Sequence, residues 1–205
     1  MCGRYNLHQT EQLKDRYQAV NQISIFPDYN RSPGTVNPVI ISKYNENWIL
    51  GFEWGIQKQN KLIANKRIES INNDLRLFKR CLVPINGYYE WKYHPIGKIP
   101  FYIYPKTKNL VSVAGIYYKN TETNISSYLV LTKPADKKIE KIHSRMPIFL
   151  TENNERKWLN GNYNFDFHID NIKLEIIPVS KKVNNPQNSD PSCIKKSNEY
   201  QIFFN

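Results

Sequence analysis

Cysteine is scarce in these 205 residues. Cys2, Cys81 and Cys193 are too few and too widely spaced for a disulfide framework, and no CxxC pair offers the usual spacing of a zinc site. No apolar run approaches the ~20 residues that a membrane-spanning helix needs. Nor does the chain open with a basic segment followed by an apolar one, the pattern of a secretory leader. The expectation is a protein that works inside a cell, in the cytoplasm, with no membrane, metal or cofactor. Acid is also in short supply: 18 Asp and Glu stand against 29 Lys and Arg, a formal net charge of +11. That excess favours a polyanionic partner if it gathers on one face, whereas Lys-rich stretches such as Lys133 to Lys141 serve equally as solvated surface. Internal repeats are missing too.

What is present is globular. Apolar residues make up 40% of the chain, with 4 Trp, 14 Tyr and 9 Phe, enough to fill one core. Thr10 to Tyr17 reads as a short helix, followed by a turn-rich loop from Pro27 to Pro38. Val39 to Ser42 and Trp48 to Trp54 read as strands around a turn at Asn45-Glu46-Asn47, and helical spacing of Ile71, Leu75 and Phe78 predicts a helix over Ser70 to Lys79. Five more strands are expected at Leu82 to Ile85, Tyr88 to Lys92, Phe101 to Tyr104, Leu110 to Tyr117 and Tyr128 to Leu131. Short helices at Asp136 to Lys141 and Glu152 to Leu159, a strand from Leu174 to Val179 and an Asn-, Pro- and Ser-rich loop complete the chain. Many short strands with few helices indicate an α+β fold rather than a parallel α/β sheet.

Five places hold residues with chemistry to offer. Cys2, once Met1 is removed, carries an α-amine and a thiol on adjacent carbons; such a 1,2-aminothiol traps an aldehyde as a Schiff base and then closes a thiazolidine ring. Asn65, Arg67 and Glu69 alternate, so a strand would set all three on one face, suited to phosphate or sugar oxygens or simply to water. Glu90 lies among aromatics in GYYEWK, where desolvation would fit it to shuttle protons; the same alternation also reads as the polar face of a strand. His143, in IHSRMP, is a proton carrier by type, although a lone loop histidine is more often an ordinary surface residue. Trp54-Gly55 is core or a platform for a stacked base.

Taken in order, the segments MCGRY, YNRSPG, EWG, NKRIES, RCLVPINGYYEW, IHSRMP and VSKKVNN resemble the SOS-response-associated peptidase family, the SRAP domain, whose members shield abasic sites in DNA. The resemblance runs through nearly the whole chain. It implies one SRAP-like domain over 1–205, built of mixed, mainly antiparallel, barrel-like sheets with flanking short helices and a basic groove for DNA. It implies that Cys2 is the nucleophile that links to the ring-opened abasic sugar, and that Asn65 orients cysteine and sugar. It further implies that Glu90 and His143 move the protons and that Arg4, Asn30, Trp54, Arg67 and Arg145 lie along the DNA. Single-stranded DNA with abasic sites is the implied partner of a monomer that removes its own Met1; lyase activity is left open. The resemblance departs after Ile56, where QKQNKLI lacks the Pro and Trp of the family's DNA-contacting segment, which leaves strand or junction preference open. MCG also resembles the start of class II glutamine amidotransferases, in which the α-amine is the base for its own thiol. A non-covalent DNA-binding module, with Cys2 incidental, is the third reading.

Overall fold

The computed structural model of the chain describes residues 2–71, 77–95, 97–119, 126–161 and 172–199. Two sheets share the described core. The first begins with a hairpin of β-branched residues, whose stiff side chains favour extended backbone. Its strands, Val36–Lys43 and Glu46–Trp54, pair from Lys43 opposite Glu46 back to Val36 opposite Glu53. The turn falls one residue earlier than the sequence suggests, at Tyr44 and Asn45, whose φ of 54° and 63° are the positive values a tight two-residue hairpin requires.

That hairpin is part of a closed ring. In spatial order, β4 (Glu46–Trp54), β3 (Val36–Lys43), β8 (Lys79–Ile85), β11 (Val111–Lys119) and β12 (Ser126–Pro134) pair neighbour to neighbour until β12 meets both β11 and β4. The β12–β4 pairing is parallel and the others are antiparallel. Closure removes the exposed edges an open sheet would leave. Two strands cross closely at Gly115, where an added Cβ would meet the Cys81 sulfur and a Val83 methyl at 2.9 Å. Cys81 is therefore a packing residue, fully enclosed, and only glycine fits opposite it.

The second sheet has five antiparallel strands in the order β15 (Leu174–Pro178), β10 (Ile99–Pro105), β9 (Gly87–Lys92), β1 (Tyr5–Leu7) and β2 (Asp28–Arg31). Its middle strand β9 is covered on both sides. Tyr88 belongs to the main core, whereas Tyr89 packs in a smaller cluster with Tyr102, Val179, Val183 and Cys193. The helices are short: α1 (Leu13–Tyr17), continuing a 3-10 turn at Thr10–Gln12, α2 (Lys137–Glu140) and α3 (Glu152–Leu159). A small hairpin, β5 (Ile56–Lys58) with β6 (Lys61–Ile63), leads into β7 (Asn65–Arg67), which adds to β12 in parallel. The short strands β13 (Arg145–Pro147) and β14 (Phe149–Leu150) complete the ring sheet.

The α+β architecture and its mainly antiparallel, ring-like sheet agree with the sequence. Three details differ. The loop from Pro27 to Pro38 contains β2 and the start of β3, because Arg31 pairs with Tyr5 across the sheet. The expected helix over Ser70 to Lys79 falls largely outside the described residues; at its ends, Ile68–Ser70 is a 3-10 turn and Lys79 already begins β8. That 3-10 turn also takes Glu69 off the strand, so only Asn65 and Arg67 share its alternation. Among the described residues, no helix is long and apolar enough to cross a membrane.

Candidate active site

Cys2 lies at the seam between the sheets, only 2% exposed. Its segment runs beside β9, with the Tyr89 N–H donating to the Arg4 carbonyl at 3.0 Å and Tyr5 paired with Tyr88. The thiol lies 3.8 Å from the same carbonyl. Asn65 reaches over from β7 and donates from Nδ2 to the Cys2 carbonyl at 2.8 Å, fixing that residue from the ring side. Asn65 Oδ1 is buried and accepts no hydrogen bond among the described residues. Burial, and then the nearby Glu90 carboxylate, push the Cys2 thiol far above its ordinary range, so at neutral pH it is a thiol rather than a thiolate.

Glu90 sits at 3% exposure on β9, opposite Phe101 of β10. Its place two residues after Tyr88 turns it toward the main core, and the solvent-facing reading of GYYEWK fails because that side of β9 is covered. Burial raises its pKa, and the electrostatic influence of His143 pulls in the opposite direction. His143 precedes β13, with Nδ1 at 3.0 Å from the Arg145 N–H and 3.2 Å from the Arg145 carbonyl. The neutral ring accepts the first and the charged ring donates to the second, so either protonation state has a backbone partner at Nδ1.

The residues expected along DNA occupy different settings. Arg145 donates to both carboxylate oxygens of Glu69, at 2.5 and 2.9 Å, and also to the Thr132 carbonyl. This contact holds the Glu69 carboxyl below its usual range. Arg67 is exposed at the end of β7. Arg4 and Asn30, by contrast, hold the chain together. Arg4 donates to Asn30 Oδ1 and the Val183 carbonyl, each at 2.9 Å, and to the Asn184 carbonyl at 3.2 Å. Asn30, buried, donates to the carbonyls of Val183, Asn185 and Asn188. Trp54 is fully enclosed, its indole N–H on the Ala64 carbonyl at 3.0 Å and its ring 4.9 Å from that of Tyr5. No face of that indole is open to a base; of the two roles its sequence context allowed, the core role is the one it occupies.

Sequence reasoning passed over the phenol of Tyr88, beside Cys2 and Glu90. It had already marked the strand, and alternation alone puts residues 88 and 90 on one side. Volume does not locate this chemistry: a cleft of about 540 Å³ opens elsewhere, around the Arg16–Glu155 ion pair. Among the described residues there is no cluster of His, Cys, Asp or Glu that could hold a metal ion.

Comparison with known proteins agrees with the ordered motifs. The "Abasic site processing protein YoqW" of Bacillus subtilis is 30% identical, over 95% of this chain and 99% of its own. The similarly named HMCES of Xenopus tropicalis is 28% identical over 88% of this chain and 67% of its own length. A solved structure from Bacteroides thetaiotaomicron superposes over 96% of this chain and all of its own, with a TM-score of 0.78 at 22% identity. The family model described as SOS response associated peptidase (SRAP) matches residues 1–186, and the chain belongs to that family.

Proposed function

We propose that this protein processes abasic sites by forming a covalent crosslink to them through Cys2. The observation that carries the reading is the convergence of Asn65 and Glu90, from different sheets, on a buried cysteine at position 2, with His143 in electrostatic reach of Glu90. Four relatives bearing the name abasic site processing protein support the choice of substrate.

The chemistry follows from the protonation states. Removal of Met1 places the α-amine on Cys2 itself, held through its carbonyl by Asn65, whose buried Oδ1 is an acceptor without a partner among the described residues. An abasic deoxyribose rests as a cyclic hemiacetal, so a base must take its C1 hydroxyl proton while an acid protonates the ring oxygen as the C1–O bond breaks. Glu90, whose pKa burial raises, and His143 are suited by type to these two transfers. Because the thiol is protonated, the amine attacks first; the aldehyde oxygen leaves as water and an imine remains. The thiol then adds to the imine carbon, its proton passing to the nitrogen, and the thiazolidine closes with a net loss of one water. Single-stranded DNA is the favoured partner because its sugar is accessible without extrusion from a duplex. Arg67 is the exposed guanidinium placed to meet a phosphate, whereas Arg145 would have to exchange Glu69 for one. A monomer acting in the cytoplasm accommodates all of these steps.

Intact-mass analysis with an abasic single-stranded oligonucleotide tests the proposal. The expected product is one heat-stable species at the summed mass minus water, formed only after Met1 is lost. No adduct from Met1-free protein overturns the reading, and glutaminase activity in its place selects the amidotransferase-like alternative.

A further inference from the structure

Tyr88 is fully buried, yet its hydroxyl has no hydrogen-bond partner among the described residues. An unsatisfied buried hydroxyl costs about 1–3 kcal/mol, and the surrounding core could hold phenylalanine at no such cost. The other phenols nearby are matched. Tyr5, directly across the strand pair, shares a hydrogen bond of 2.9 Å with Tyr128, and Tyr17 shares one of 2.8 Å with Ser112.

The position of the orphan hydroxyl is informative. Two residues along an extended strand separate side chains on one face by roughly 7 Å, so Tyr88 and Glu90 are immediate neighbours. The Tyr88 ring leans on Phe149 of β14, centroids 6.0 Å apart. Charges acting on the phenol come, in order of strength, from Glu90 on its own strand, Cys2 on the N-terminal segment and Asp136 on the loop before α2. The Glu90 carboxylate acts electrostatically on the Cys2 thiol and His143 acts on Glu90, and the processed Cys2 adds its own α-amine. The acidic groups among the described residues that act on this hydroxyl therefore belong to the proposed centre or to the loop before α2.

We propose that the Tyr88 hydroxyl is a positioning donor of this centre, turning its proton toward the Cys2 sulfur or the Glu90 carboxylate when either becomes charged. The inference rests on Cys2 being the reacting group. A donor left empty in the resting protein and filled only when charge develops stabilises that charge without reorganising the surroundings. It also addresses a difficulty of the buried site: burial disfavours any negative charge that develops on the sulfur or the carboxyl as their protons move, and no cation among the described residues contacts the sulfur.

The test compares wild type with Tyr88→Phe, both with Met1 verified absent. Alkylation of Cys2 by iodoacetamide is followed against pH by peptide mass, and crosslinking of abasic oligonucleotide is followed in parallel. The variant keeps the ring on Phe149 and loses only the unpaired hydroxyl, so its melting temperature should hold or rise. Its alkylation midpoint should move to higher pH, making Cys2 about three- to tenfold less reactive near neutrality, with crosslinking slowed alike. A fluorinated tyrosine at position 88, a stronger donor, should move the midpoint to lower pH. Superimposable alkylation profiles for all three proteins overturn the inference while leaving the crosslinking proposal intact. A shifted alkylation profile in protein that never crosslinks overturns the proposed substrate and leaves the role of the hydroxyl standing.

Discussion

Two polar clusters flank the same N-terminal segment and behave in opposite ways. On one side, Arg4 and Asn30 spend their side chains on each other and on the carbonyls of residues 183, 184, 185 and 188. The Trp91 N–H adds a bond of 2.7 Å to Asn184, and the Tyr89 hydroxyl one of 2.6 Å to the Tyr29 carbonyl. On the other side, Cys2, Asn65, Tyr88 and Glu90 share a buried space in which Asn65 Oδ1 and the Tyr88 hydroxyl accept or donate nothing among the described residues. Residues from both clusters fall in motifs of the same family, so motif membership alone does not separate them. Hydrogen-bond satisfaction does. A saturated cluster has reached its lowest free energy and holds the fold; a cluster with orphan atoms and displaced protonation equilibria keeps capacity for something that is not yet there.

The most severe way to break the comparison is Cys2→Ala. It should abolish the heat-stable adduct entirely while leaving the melting temperature nearly unchanged, as one small side chain replaces another in a site that makes no strong bond through sulfur. Persistence of the same adduct in mass analysis would move the nucleophile elsewhere. Glu90→Gln comes next, and should slow crosslinking by about a hundredfold or more, the usual contribution of a positioned acid–base group. Its effect on stability has a definite sign. Burial raises the folded pKa of Glu90 above its unfolded value, so between those two pH values the folded protein binds more protons than the unfolded chain. Stability from this group is full below the ordinary carboxylate range and declines as pH rises through the raised value. Glutamine removes the decline, so melting curves at pH 4 and pH 8 should show stabilisation at pH 8 only. An equal shift at both would mean that Glu90 does not carry the buried charge assigned to it.

The residues of the proposed centre drew notice in the sequence because their chemistry is unusual for their positions: a cysteine behind the initiator methionine, a carboxylate between aromatics, a histidine in a tight polar turn. Their partners were less legible. The pattern GYYEWK marks a strand, but only the long-range packing of the main core on the Tyr88 side of β9 and of Val179, Val183 and Cys193 on the Tyr89 side shows that both of its faces are covered, which turns Glu90 from a solvated side chain into a buried one. The ring of strands closes through the parallel pairing of β12 with β4, and no local pattern announces a contact between residues more than seventy positions apart. Trp54 illustrates the same limit. Its motif allows a surface platform or a core residue, and what decides is the enclosure by Tyr5 and Tyr128, which lie on two other strands. Glu69 read as part of an alternating polar face and Arg145 entered only through the family resemblance, and their ion pair, which spans 76 positions, has no local signature.

The mildest expected change in chemistry is also the one that best sharpens the contrast between the clusters. Asn30→Ala removes a side chain that donates to three carbonyls and accepts from Arg4, leaving buried acceptors and a guanidinium to find water. The cost should be about 2–3 kcal/mol, which lowers the melting temperature by roughly 5–10 °C for a chain of this size. Crosslinking assayed well below that temperature should proceed within about twofold of wild type, because no bond to Cys2, Asn65, Glu90 or His143 is touched. If Asn30 instead contacts DNA at the rim of the site, the pattern inverts: the melting temperature holds and the oligonucleotide concentration needed for half-maximal crosslinking rises. Measuring both quantities on one preparation decides whether this motif asparagine serves the fold or the substrate, since its side chain has too few donors to serve both at once.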